Sequence, residues 1–317
     1  MPLMAQYFFT HLINPVSSTE SNSLFEVQSH TLTSISKAKL YAANLGIQVQ
    51  NLVCFTKDNA CELSPDFTVI KPLERVSSDT INTSKKVPFF NDLLNRLNEF
   101  SDADYLIYTN LDICLMPNFY ASVKAMVENG HDAIIINRRV ISNSHLKHGN
   151  IERMYADLGK VHSGYDTFIF KKELFKKFIL KNICIGVPPV GSDLFYNLFV
   201  FAENPILETE SHLTFHIGED LIKPWGDKEL LMHNNVEFKK LLYEIAPLML
   251  IEKFPAANKN FIKRHFKWLM NPTVSYPLMA KTDLKQLGHK RKPKKERDIK
   301  GIMHRYYEWM IKKINLE

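Results

Sequence analysis

Along the first two-thirds of the chain, apolar positions switch repeatedly between a run-like and a helix-like pattern. Short apolar runs occur at 7–13, 49–55, 67–70, 104–109 and 133–137. They are too brief for stable helices and rich in branched and aromatic side chains, so they predict strands. Between them, apolar residues recur at helical spacing. Leu24, Val27, Leu32, Ile35, Ala38, Leu40, Tyr41 and Leu45 outline one helix, and Gly46 follows where a C-cap belongs. Similar patterns predict helices near 88–100 and 117–129, the second closed by Gly130. The polar stretch Val76–Lys86 reads as a loop.

Further along, the pattern predicts a polar loop at 142–150, a short helix at 151–158, a strand at Thr167–Phe170 and a helix from Lys171. A helix at about Ser192–Ala202 and a strand at Leu213–His216 follow, and from Lys228 onward the chain reads as helical. Strand–helix alternation of this kind predicts an α/β fold, a mostly parallel central sheet flanked by helices. The expected division is a domain over 1–225 and a helical, basic extension over 226–317.

Composition alters this picture little, and charge alters one part of it. The apolar and charged fractions, 45% and 23%, are those of an ordinary globular protein. No apolar run approaches the roughly 20 residues of a membrane-spanning helix. Met1–Gln6 has neither a basic region nor a cleavable apolar segment, so no secretory signal is expected. Four scattered cysteines (Cys54, Cys61, Cys114, Cys184) lack disulfide or zinc spacing and fit a reducing, cytoplasmic setting. The net charge of +6 is concentrated at the end: 281–317 holds twelve Lys/Arg against five Asp/Glu, leaving the rest near neutral. A near-neutral body offers no basic face for nucleic acid. Walker and Rossmann glycine loops are absent, which argues against an NTPase or a dehydrogenase.

Candidate chemistry begins where the run 104–109 ends in Asn110-Leu111-Asp112. In open α/β sheets, ligands sit beyond the carboxyl ends of the strands. An amide and a carboxylate there suit a divalent cation or a ribose, and equally an Asx turn that caps the next helix. Arg138, just past a strand, suits phosphate because guanidinium forks match its oxygens. His216 ends a strand, as a structural residue or a ligand. Asp193, in Gly191-Ser192-Asp193, opens a helix, where a carboxylate suits a cap. Trp225 is a candidate for stacking on a sugar or for packing beside a helix start at Asp227.

Tyr108-Thr109-Asn110-Leu111-Asp112-Ile113, followed by Pro117-Asn118-Phe119-Tyr120, resembles the DxD region of GT-A fold nucleotide-sugar glycosyltransferases, with Asn in place of the first Asp. The resemblance implies a GT-A-like, metal-dependent transfer of sugar from a nucleotide-diphosphate-sugar donor to a glycan or glycolipid hydroxyl. It implies Asp112 and His216 as ligands of Mn²⁺ or Mg²⁺, Asn110 and Arg138 on the donor, and Asp193 as the base of an inverting reaction. Tyr165 and Asp166, before a strand near the acceptor in that family, would bind the acceptor with Trp225. A hard cation fits this chemistry because the leaving diphosphate gains negative charge.

Two other readings stay open: a non-catalytic glycan-binding or assembly protein on a degenerate transferase fold, and a sugar nucleotidyltransferase. The run His289–Arg297 precedes Ile299, Ile302, Met303, Tyr306, Met310 and Ile314 at helical spacing. Such a segment suits peripheral contact with an anionic membrane, or packing against the domain or a partner.

Overall fold

The computed structural model describes residues 8–16, 22–57, 59, 61–147, 150–218, 227–260 and 262–263. It divides into two compact units, with the boundary between Leu241 and Leu242. The first is an α/β unit around a nine-stranded sheet among the described residues. Strands β1 (Phe9–Ile13), β2 (Val49–Val53), β3 (Phe67–Val69) and β4 (Tyr105–Thr109) form a parallel quartet in the order β3-β2-β1-β4. These strands are largely buried and apolar because both faces are covered.

On the other side of β4 lies β7 (Lys160–Lys171), antiparallel, and then β6 (Ala133–Ile141). The far edge of β6 pairs in parallel first with β8 (Pro205–Glu208) and then with β9 (Thr214–Ile217). β5 (Ile113–Leu115) closes this half, antiparallel to β9. The expected α/β architecture is therefore present, with β7 and β5 as the two strands that run against their neighbours. Among the described residues, no helix is long and apolar enough to cross a membrane.

Helix α1 (Asn22–Asn44) lies on one face of the sheet and ends at Gly46, whose φ of +75° only glycine adopts without strain. Its buried side keeps part of the apolar stripe that its spacing predicts, with Val27, Ile35 and Ala38 buried. Leu40, Tyr41 and Leu45 are exposed, while Thr31, Ser34 and Ala42 are buried in addition. Small residues let the helix approach β5, where Ser34 Oγ accepts the Leu115 N–H at 2.9 Å. Helix α2 (Phe90–Phe100) follows its pattern more simply, burying Phe90, Leu93, Leu94 and Leu97 on one stripe. Helix α3 (Phe119–Glu128) ends before Gly130, at φ +92°. A one-and-a-half-turn α4 (Ile151–Ala156) follows β6.

Three sequence expectations change. The strand at Thr167–Phe170 is twelve residues long and begins at Lys160. The helix from Lys171 is only a 3₁₀ segment, Lys172–Lys177. β5 and β8, three and four residues long, go unpredicted.

Helix α5 (Ser192–Phe201) is buried nearly all round, Asp193 through Phe199. The loop leading into it is held by Asn234 of α6 (Lys228–Ile245). Its amide receives the Cys184 N–H at 2.8 Å and donates to the carbonyls of Cys184 and Val187 at 2.9 and 2.8 Å. In the second unit the described residues form short 3₁₀ turns at Ala246–Leu248 and Ile251–Lys253. Trp225 and the basic segment 281–317 lie outside the described residues.

Candidate functional site

The site grows from the register of the irregular half of the sheet. β4 ends at Thr109, so Asn110 emerges at its carboxyl end beside β7. The chain turns through Leu111 and Asp112 and enters β5, where Ile113 pairs with His216 of β9. That register brings Asp112 against His216, with Oδ2 at 3.1 Å from Nε2. The His216 Nδ1–H donates to the Gly218 carbonyl at 2.7 Å, which fixes the ring and aims Nε2 at the carboxylate.

Burial works against charge on both partners, and their pairing overrides it. Burial alone would raise the Asp112 pKa, but the His216 hydrogen bond and charge hold it below the usual carboxylate range. Burial would lower that of His216, but Asp112 raises it above the ordinary imidazole value. His216 is 1% exposed at its side chain and Asp112 is 28% exposed, so the carboxylate is the more accessible member of the pair.

The second half of the site comes from a β-bulge. Ile136 pairs with Thr167 and Asn137 with Tyr165, so Asp166 is an extra residue on β7 with no partner in register. Bulges re-aim side chains, often beside functional sites. Here Asp166 Oδ1 accepts from Asn110 Nδ2 at 2.7 Å, and Oδ2 accepts from Arg138 Nη1 at 2.8 Å. The Asp166 carbonyl also accepts the Asn110 N–H at 3.1 Å. Burial pushes the Asp166 pKa up, opposed by the Arg138 guanidinium.

Asp193 lies on the first turn of α5. Gly191, at φ +80°, sets the start of this helix; a Cβ there would meet the Tyr165 carbonyl at 3.2 Å and the Phe168 ring at 3.3 Å. Asp193 Oδ1 accepts the Leu194 N–H at 2.8 Å, while Oδ2 is buried with no hydrogen-bond partner among the described residues. Desolvation pushes its pKa up to about 7. A buried acceptor left unmatched is costly and marks a place where a donor is wanted.

Among known proteins the likeness is distant. The structure is similar to S. aureus TarS. Residues 1–349 of TarS align at a TM-score of 0.43 and 11% identity, over 82% of this chain and 72% of that one. The same TarS segment in complex with UDP-GlcNAc aligns at 0.46 and 11%, over 85% and 79%. The catalytic domain of Drosophila β1,4-galactosyltransferase 7, in complex with xylobiose, aligns at 0.29 and 11%, over 54% and 51%. No family model matches the sequence, and no curated protein matches it. Likeness at this level assigns neither substrate nor reaction to the chain.

The chain's own geometry therefore carries the site. Hydrogen bonds link Asn110, Asp166 and Arg138 in one group and Asp112 with His216 in another. The two groups are electrostatically joined, since Arg138 lowers the Asp112 pKa and Asp112 raises that of Asp166. Tyr108 is a residue that sequence reasoning passed over. Its buried hydroxyl donates to Asn110 Oδ1 at 3.3 Å. Desolvation raises its pKa, and the charges of Asp112, Asp166 and Asp193 raise it further. It thus feels the charge of all three carboxylates, and its place in the run Tyr108–Asp112 was the available signal.

Tyr165, an acceptor candidate by the resemblance, is buried, with its ring stacked on Phe195 of α5 at 4.9 Å. Asp166, the other acceptor candidate, accepts one hydrogen bond on each carboxylate oxygen within the protein.

A cation fits the site only in part. A carboxylate and an imidazole with a carbonyl behind it are suitable ligands for Mn²⁺. Among the described residues, no group of three or more His, Cys, Asp or Glu side chains is placed to hold a metal ion. The protein's share would be Asp112 and His216, with the remaining positions left to the donor and water.

Proposed function

We propose that this chain is a GT-A-like glycosyltransferase that moves a sugar from a nucleoside-diphosphate sugar to a hydroxyl of a glycan or glycolipid. The observation that carries the reading is the convergence of Asp112 and His216, 104 residues apart, at the carboxyl end of the central strand. Asn110 and Arg138 flank that pair and would bind the donor, the guanidinium through phosphate oxygens. A divalent cation held by Asp112 and His216 would neutralise the charge gathering on the leaving diphosphate.

Asp193 would act as the base of an inverting displacement. The acceptor oxygen forms its bond to the anomeric carbon as the carbon–phosphate-oxygen bond breaks, and the acceptor proton passes to the Asp193 carboxylate. A pKa raised to about 7 by burial suits this task, because the ionised form at neutral pH is a competent base. The unpartnered Oδ2 supports the assignment, since an acceptor hydroxyl would supply the missing donor.

Hydrolysis or transfer of a panel of nucleotide sugars, UDP-GlcNAc first, tests the proposal with and without Mn²⁺. Turnover that Asp112→Ala lowers on the order of 10³-fold is expected. Nucleotide-sugar binding without turnover would favour the non-catalytic reading. Full activity in Asp112→Ala would remove Asp112 from the centre.

A further inference from the structure

We infer that Asp166 is a positioning residue that dictates an amide, rather than a second carboxylate, at position 110. The inference rests on the transferase reading, because it explains how this chain orients the first residue of its Asn110–Asp112 motif.

The bulge gives one carboxylate two donors to satisfy. Oδ1 takes the Asn110 Nδ2–H at 2.7 Å, and Oδ2 takes the Arg138 Nη1–H at 2.8 Å. Asn110 is held at its other end too, where Oδ1 accepts from Tyr108, and through its backbone N–H on the Asp166 carbonyl. Its amide therefore has one satisfactory orientation; a flip would turn its oxygen towards a carboxylate. Asp166 and Arg138 are each 9% exposed, so water cannot readily replace a lost partner.

Hydrogen-bond counting makes the dependence specific. An aspartate at 110 has no hydrogen for Asp166, and two carboxylates would face each other at the distance of a hydrogen bond. An asparagine at 166 has a single acceptor oxygen for two donors, so either Asn110 or Arg138 would face an NH₂ group. Both changes together restore the pattern with its polarity reversed. The amide now at 166 donates to the carboxylate now at 110, and the amide oxygen accepts from Arg138. The net charge is also unchanged.

The test is a double-mutant cycle on the full chain with Asn110→Asp, Asp166→Asn and the two combined. Binding of UDP, GDP and ADP is measured by calorimetry in the presence of Mn²⁺, with the melting temperature of each variant alongside. Each single change is expected to weaken nucleoside-diphosphate affinity about tenfold or more, and the exchange to recover it to within about threefold. Losses that simply add in the double variant, or single variants that bind like the parent, would overturn the inference. Equal melting temperatures with unequal affinities would support positioning over a purely structural role. If the parent binds no nucleoside diphosphate, the transferase reading fails. The melting temperatures then still decide the pair, since recovery in the exchange supports the coupling and additivity rejects it.

Discussion

Two buried histidines of the sheet have been driven in opposite directions. His11, on β1 in the regular parallel quartet, meets only hydroxyls: Nδ1 lies 2.8 Å from the Tyr120 hydroxyl and Nε2 2.9 Å from that of Thr109. With no charge to oppose it, desolvation takes its pKa down to about 3. His216, in the irregular half, is buried almost as deeply but faces Asp112, and its pKa rises. Burial sets the cost of the charge, and the partner decides whether that cost is met. The regular half thus keeps this imidazole neutral, while the irregular half concentrates ions. A ligand with charge to exchange would find its partners there.

The contrast is broken most severely by Asp112→Asn. It removes the opposing charge, so His216 should fall below its ordinary pKa of 6.5 and come to resemble His11, an effect read by NMR titration of the ring. Failure of His216 to move would show that Asp112 is not what charges it. Transfer should fall on the order of 10³-fold in the same variant.

Asp193→Asn sharpens the comparison from the carboxylate side. The folded chain holds the Asp193 proton up to about pH 7, whereas the unfolded chain releases it near 3.8, so stability falls as pH rises between these values. An amide keeps the acceptor for the Leu194 N–H and never ionises. We therefore expect a higher melting temperature than the parent at pH 8, together with transfer reduced roughly 10²–10⁴-fold. Loss of activity without the gain in stability would argue that burial does not penalise the carboxylate.

His11→Leu gives the smallest effect on chemistry and a substantial one on stability, about 2–4 kcal/mol, because the Thr109 and Tyr120 hydroxyls lose their partner. The parent's pH dependence has the corresponding sign. Below pH 6.5 the unfolded chain takes up a proton that folded His11 refuses, so stability is lost as pH falls towards 3. The slope is about 1.4 kcal/mol per pH unit for one proton. His216 contributes in the opposite sense, with stability present below 6.5 and lost as pH rises through its folded value. Denaturant melts across pH 4–8 should show the acid-side slope diminished in His11→Leu.

Legibility in the sequence followed the same divide. The parallel quartet, α2 and α3 could be read from apolar period, and the glycines at 46 and 130 do end helices. Asn110, Asp112 and His216 could be picked out as residue types at strand ends. Their partners could not. β7 hides its first half because Val161 and Tyr165 are the only apolar side chains between Lys160 and Asp166, and the ladder itself is bulged there. The pairing of Asn110 with Asp166 spans 56 residues and depends on a register shift that no local pattern encodes. α1 was legible in part: Val27, Ile35 and Ala38 are buried as spaced, but Ser34 meets β5 and Leu40, Tyr41 and Leu45 stay exposed.

The antiparallel seam between β4 and β7 also has a consequence for how the molecule comes into being. β1, β2, β3 and β4 are complete once residue 109 has been made, and they can pair among themselves. Asn110 meets Asp166 only after a further 56 residues, and Asp112 meets His216 only after 104. On a chain emerging from its amino end, the scaffold precedes the chemistry, and the charged groups are drawn together last. A nascent or truncated chain that stops before β9 would carry the motif without the constellation.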